Sequence, residues 1–168
     1  ENSGLRNEVS RIIFVNDGSV DLTRELLEDL SSKNADVTAI HLDVNQGRFD
    51  ARRLGAEYAQ TDRLLFLDSR ITLPDDFGRA LRESSYSYCL YWQRIHEFIF
   101  WRYYRDIKKP LTLTANNFDS YLKGTTVFLC SRKLFLQSCG YFQDSPPLND
   151  DTHLLKIMVG IQPIVIDS

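Results

Sequence analysis

The segment Arg11–Asp21, RIIFVNDGSVD, decides the fold, because a continuous apolar run, Arg11-Ile12-Ile13-Phe14-Val15, is stopped abruptly by Asn16-Asp17-Gly18-Ser19. A short apolar run of this kind suits a strand covered on both faces in a parallel sheet, and the polar stop is then a strand-to-helix turn. Asp21 is placed to cap the helix that follows. Leu22, Leu26, Leu27 and Leu30 recur there at helical spacing among Arg24, Glu25, Glu28 and Asp29, which predicts one buried face. Val37-Thr38-Ala39-Ile40-His41-Leu42 reads as the next strand, with Asn45-Gln46-Gly47 as the turn at its carboxyl end, so the unit is βαβ.

The alternation continues outward from this unit. A second helix is predicted over about Phe49 to Gln60, where Ala51, Gly55 and Ala59 form a stripe of small residues that lets the helix sit close on a sheet. Arg63-Leu64-Leu65-Phe66-Leu67 is a third buried strand ending in Asp68-Ser69-Arg70, and Pro74 suits the first turn of a short helix through Phe77, Ala80 and Leu81. From Tyr86 to Leu122 the pattern breaks into an aromatic and basic stretch, read as one helix and then a loop. Gly124 to Cys130 is another strand. Ser131 caps a helix carrying Leu134 and Phe135, Gly140 stands at its C-terminal end, Asp150 or Asn149 opens a last helix, and Ile164-Val165-Ile166 closes as a strand. Strands alternating with helices predict an α/β sheet with ligands at the carboxyl ends of the strands, where the polar turns converge.

At 168 residues and 43% hydrophobic the chain has the profile of one ordinary globular domain. A net charge of -3 provides no global basic field, so nucleic acid is not an expected partner and an anionic ligand must be met by local arginines. Cys89, Cys130 and Cys139 lack C-x-x-C spacing, which argues against a disulfide framework or zinc site and for a reducing compartment. No apolar run approaches the ~20 residues that span a bilayer.

Several segments together resemble family 2 glycosyltransferases. Val15-Asn16-Asp17-Gly18-Ser19-Val20-Asp21 is similar to that family's V-D-D-G-S-x-D turn, and Asn45-x-Gly47 with Ala51-Arg52-x-x-Gly55 to its N-x-G and A-R-N-x-G segment. Phe66-Leu67-Asp68-Ser69-Arg70 falls at the D-x-D position. Gly124-Thr125-Thr126 with Cys139-Gly140-Tyr141-Phe142 resembles the strand, helix and G-G-F turn, and Asn149-Asp150-Asp151 the E-D pair. The resemblance implies a Rossmann-like GT-A fold, with a mostly parallel central sheet flanked by helices, in one domain over residues 1–168. It also implies an apolar strand ahead of the first turn. Glu1 to Val9 is polar, so that strand is expected upstream of this sequence.

The implied reaction moves a sugar from a nucleotide diphosphate sugar, with uridine the expected nucleoside, to a saccharide or lipid-linked acceptor with inversion. Donor-binding positions carried over by the resemblance are Asp17, Gly18, Ser19, Asn45, Gly47, Arg48, Arg52, Asp68, Ser69 and Arg70. Asp17 would accept from the uracil imide, although a turn aspartate also bonds backbone. Arg52 and Arg53 near a helix start work against the macrodipole unless an anion is present, and a solvated basic face is the alternative for Arg48, Arg52 and Arg53 alike. Asp68 would hold ribose or a divalent cation, Mn²⁺ or Mg²⁺. Arg70 stands where the family's metal-binding aspartate would, and offers a guanidinium for phosphate in place of the metal; the two side chains pairing at a strand end is the bland reading.

Asp151 matches the family's general base, with Asp150 in reserve, and either also suits a helix cap. The 86–122 region corresponds to an acceptor-side insertion. Its aromatics, from Tyr91 and Trp92 to Tyr104, with Lys108-Lys109, suit core packing, an acceptor surface, or peripheral membrane contact through 91–109. A cytoplasmic protein, at the inner face of a membrane if that contact is made, is the expected location. The competing reading is a nucleotide-sugar-binding scaffold that kept the fold and lost transfer.

Overall fold

A computed structural model describes residues 4–69, 73, 75–83, 89–91, 111–113, 127–140, 157–158, 161 and 164–167, with the strands at 89–91, 111–113 and 164–167 described by backbone pairing alone. The chain divides into two compact units, residues 1–61 with 74–84 and residues 62–73 with 85–168.

The first unit contains β1 (Ile12–Asp17), α1 (Thr23–Lys33), β2 (Val37–Leu42), α2 (Arg48–Tyr58) and α3 (Phe77–Glu83), preceded by a 3-10 turn over Leu5–Asn7. β1 and β2 pair in parallel with Ile12 opposite Val37 and Asp17 opposite Leu42, as the βαβ reading requires. Their side chains at 12–15 are half-buried rather than fully covered, and among the described residues β2 is the strand paired with β1. On one side α2 lies against β1, and a Cβ on Gly55 would stand 3.4 Å from the Val15 side chain, which is the close approach the small-residue stripe predicts. Phe49, Ala56 and Ala59 are buried along the same helix.

The leucine face of α1 departs from expectation. Leu22 and Leu26 are about two-thirds exposed, at 69% and 67%, and Leu30 is also exposed. The half-buried line is Thr23, Leu27 and Ser31, one residue over. A helix about 10 Å across set on a two-stranded sheet, whose strands lie about 4.8 Å apart, has only a narrow stripe covered, and Leu27 falls in it. Leu22, not Asp21, is the N-cap of α1 and makes no side-chain cap; Asp21, one residue earlier, forms an Asx turn with its Oδ1 accepting from Thr23 N at 3.0 Å, and the Thr23 side chain, then its amide, hold the Asp21 carboxyl below the usual range.

The polar start of the chain has structure that its composition hides. Arg6 forks onto Asp36, with Nε to Oδ2 at 2.9 Å and Nη2 to Oδ1 at 2.7 Å, and also donates to Asn34. α3 packs back on this N-terminal turn, burying Phe77 and Leu81, and Arg82 pairs with Glu8 at 3.1 Å.

The second unit contains β3 (Arg63–Leu67), β4 (Cys89–Tyr91), β5 (Leu111–Leu113), β6 (Val127–Ser131), α4 (Arg132–Cys139) and β7 (Ile164–Asp167). Its sheet runs β3-β6-β4-β7-β5, with β4 and β7 parallel and the other pairs antiparallel. β4 and β5 correct the expectation of one helix and then a loop over 86–122: both segments are strands because β6 and β7, distant in sequence, supply their backbone partners. β6 lies between β3 and β4 and carries Val127, Phe128, Leu129 and Cys130, all buried; among the described strands β3 is at the edge, and it leaves Leu67 43% exposed. Phe66 lies against Phe128 and Phe135, with ring centroids 6.1 and 4.6 Å apart. These rings, with Leu134, Cys139 and Met158, form the apolar centre of this unit.

Ser131 caps α4 as its position predicts, its Oγ accepting from Leu134 N at 3.3 Å. Gly140 is the C-cap with φ −59°, a right-handed conformation that any residue adopts, so its glycine is not required by the helix end. Among the described residues no helix is long and apolar enough to cross a membrane.

Candidate functional site

The polar turns at the carboxyl ends of β1 and β2 are built into one structure by Asp17. Its Oδ1 accepts from Gln46 N at 2.7 Å and its Oδ2 from Gly47 N at 2.9 Å, so one carboxylate ties the 16–19 turn to the 45–47 turn. A charged acceptor taking two backbone donors makes strong hydrogen bonds, and this cross-loop clamp replaces the bonding to its own turn expected of an Asx residue. Each oxygen retains a lone pair after the amide contact.

Gly18 is required by the same closure. Its φ is +67°, and a Cβ there would come within 2.5 Å of Asn45 N and 2.6 Å of Val44 C, so the two turns touch backbone to backbone. Gly47 has φ 93° and ψ 160° as the residue before α2, a region that is essentially glycine's alone. Asn16 is buried at 4% exposure and its Oδ1 accepts from Ser19 N at 3.0 Å, bracing the first turn from within.

The sequence-predicted residues Asp17, Gly18, Ser19, Asn45 and Gly47 therefore come together at one rim of the first unit, with Arg48 opening α2 directly after them. Arg52 is half-buried one turn further along α2. Arg53, read beside it as a possible anion contact, is committed within the helix: it donates to Asp50 at 3.0 Å and to Glu57 at 2.9 Å, and these carboxylates hold its pKa above the ordinary value. Pairs at this spacing satisfy the guanidinium without a ligand.

Asp68 and Ser69 follow β3 in the second unit, Asp68 half-buried and Ser69 exposed. Arg70, Asp150 and Asp151 lie outside the described residues, as do 124–126, 141–142 and most of the 91–109 stretch. A divalent cation wants up to six oxygen ligands, with one or two carboxylates as the protein's share. Asp68 is the single carboxylate that the 68–70 motif offers, and among the described residues no three His, Cys, Asp or Glu gather to hold a metal.

Sequence reasoning missed two features of this rim: the Asp17 clamp onto the second turn, and the Asn16–His41 pair beneath the first. Both depend on cross-strand register, which composition and spacing do not display.

Residues 3–136 match the family model described as Glycosyl transferase family 2. The chain is 38% identical over 66 residues to an uncharacterized glycosyltransferase of Haemophilus influenzae, covering 39% of this chain and 24% of that protein. It is 37% identical over 65 residues to the poly-beta-1,6-N-acetyl-D-glucosamine synthase of Staphylococcus epidermidis, covering 39% of this chain and 16% of the synthase. The matched region is thus a quarter or less of the length of these relatives.

Proposed function

Because the chain belongs to glycosyl transferase family 2, we propose that it transfers a sugar from a nucleoside diphosphate sugar, with uridine as the nucleoside, to a saccharide or lipid-linked acceptor with inversion. The observation that carries this reading is the Asp17 clamp, which fixes the two strand-end turns as one polar rim before any ligand arrives. A preformed rim spends little binding energy on ordering loops. The name of the Staphylococcus epidermidis relative, a synthase of an N-acetyl-D-glucosamine polymer, supports a saccharide product.

In this proposal the remaining lone pairs of Asp17 accept from the uracil imide. Arg48 and Arg52, in the first turns of α2, meet diphosphate charge that the helix N-terminus also favours. Asp68 and Ser69 hold the ribose and the adjoining phosphate, and Arg70 takes phosphate oxygens with its planar fork. Asp151 removes the proton from the acceptor hydroxyl as that oxygen bonds to the anomeric carbon; the bond from that carbon to the diphosphate breaks, and the diphosphate leaves with the electron pair. Asp150 is the reserve base. A divalent cation bound through Asp68 would add charge neutralisation at the diphosphate, and Arg70 serves that end where the family's second carboxylate is lacking.

The test is a transfer assay across uridine diphosphate sugars, with Mn²⁺, with Mg²⁺ and with EDTA, alongside donor binding by thermal shift. Asp151→Asn should abolish transfer and retain donor binding. Donor binding with no turnover under every condition would sink the transferase reading and favour the binding-only alternative, to which the altered D-x-D motif also points.

A further inference from the structure

Beneath the 16–19 turn, the parallel register sets Asn16 of β1 directly beside His41 of β2. Their side chains meet with Asn16 Nδ2 and His41 Nδ1 3.3 Å apart. The direction of that contact follows from the other end of the amide. Ser19 N is a backbone donor, so the Asn16 atom 3.0 Å from it must be the carbonyl oxygen, and the amide nitrogen is left to face the imidazole. An amide nitrogen only donates, so Nδ1 must present a lone pair. The proton of a neutral ring is then on Nε2, which is buried with no hydrogen-bond partner.

From these contacts we infer that His41 is a positioning residue for the 16–19 turn, acting as the neutral Nε2–H tautomer through the Asn16 amide. The turn, the amide orientation and the ring tautomer form one state. Turning the amide over would set its nitrogen against the Ser19 N–H, and a proton on Nδ1 would oppose the amide's own hydrogens. The charged group that faces the ring from the packed helix is Glu28 of α1, whose Oε1 is 4.0 Å from Nε2, beyond hydrogen-bonding distance and on the side where the proton resides. No compensating solvent contact is open to Asn16, at 4% exposure, so its amide depends on these two partners.

The turn so braced carries Asp17 and Gly18, and the consequence for donor binding rests on the function proposed above. The tautomer itself does not. Replacing Asn16 by aspartate provides the sharpest contrast: both carboxylate oxygens accept, so Ser19 N keeps its partner while the oxygen facing His41 demands a donor, and the ring proton moves to Nδ1.

Long-range ¹⁵N–¹H correlation spectra of the uniformly labelled protein read the tautomer directly, with His41 assigned by the signal lost in His41→Asn. The expected result is a proton on Nε2 in the parent and on Nδ1 in Asn16→Asp. Hydrogen exchange at the Ser19 amide should quicken about tenfold in His41→Leu, which lacks the acceptor, and return to within about twofold of the parent in His41→Asn, whose Oδ1 replaces Nδ1. Donor KM should follow the same order with kcat little changed. A parent ring protonated on Nδ1, or Ser19 exchange indifferent to His41→Leu, overturns the inference. Should tautomer and exchange behave as stated while Asp17→Asn leaves donor KM unchanged, it is the donor-site assignment that fails.

Discussion

Alanine at Gly18 probes the backbone contact that joins the two turns. Two costs are separable there. At φ +67° an alanine occupies the left-handed region, at about 1–2 kcal/mol. Its Cβ would also stand 2.5 Å from Asn45 N, whereas ordinary contact begins at 3.4 Å, so the turns must part by the difference, about 0.9 Å. Both neighbours named at Gly18 are backbone, held by the Asp17 clamp, and overpacking against such surroundings costs about 1–3 kcal/mol. Gly4 supplies the control, since its φ of +64° is nearly the same and a Cβ there meets nothing within 4 Å. Gly4→Ala should therefore show the conformational cost alone, and Gly18→Ala should lie about 1–3 kcal/mol below it. For a protein of this size that is roughly 2–12 °C in Tm. Urea denaturation of both variants, compared at equal m, measures the difference. Equal midpoints would refute the claim that the turns are closed backbone to backbone.

Three further outcomes are expected. Leu26→Lys on the exposed face of α1 should change stability by no more than about 0.5 kcal/mol, whereas Leu129→Ala, 2% exposed at the centre of β6, should cost about 2–5 kcal/mol in the same denaturation assay; similar losses from both would mean that the α1 leucines are covered. Ser131→Ala removes the cap of α4 and should cost about 1 kcal/mol, with Ser131→Asp retaining most of it; thermal melts distinguish them. The Arg6 guanidinium holds the Asp36 carboxyl below its usual range, so this contribution is fully present above the unfolded pKa and is lost as pH falls through the depressed folded one. Asp36→Asn should flatten part of the stability loss below about pH 4, and an unaltered acid limb would count against the pair.

Local signals in the sequence were enough for the elements between 11 and 67 and for the rim, but not for 86–122, where a helix and a loop were expected and β4 and β5 are strands. A strand stopped by Asn16-Asp17-Gly18-Ser19, and a second stopped before Asn45-Gln46-Gly47, leave both turns at the same end of a parallel pair, whatever their later contacts. Gly18 and Gly47 were legible as turn glycines, and Ser131 as a cap, because these effects act within a few residues. What failed to show was set by partners far along the chain. Leu22, Leu26 and Leu30 satisfy helical periodicity, but which stripe is covered depends on how much sheet lies beneath α1. Arg53 is a local case instead: Asp50 and Glu57, three and four residues away on α2, satisfy it, a pairing that helical spacing offers. The 3-10 turn at Leu5–Asn7 takes its order from Asn34, Asp36 and α3, none of them near it in sequence. His41 was one polar letter in a strand until the register set it beside Asn16.

The return of α3 to the N-terminal turn has a consequence for synthesis. A ribosome that has released residues 1–61 has supplied both strands and both longer helices of the first unit, yet the piece that packs on Leu5–Asn7 is still to come, at 74–84. Since residues 62–73 belong to the other unit, the growing polypeptide must begin its second body before it can finish its first. Translation pauses between these points would prolong the life of an unfinished intermediate with Phe77 and Leu81 not yet available to shield it.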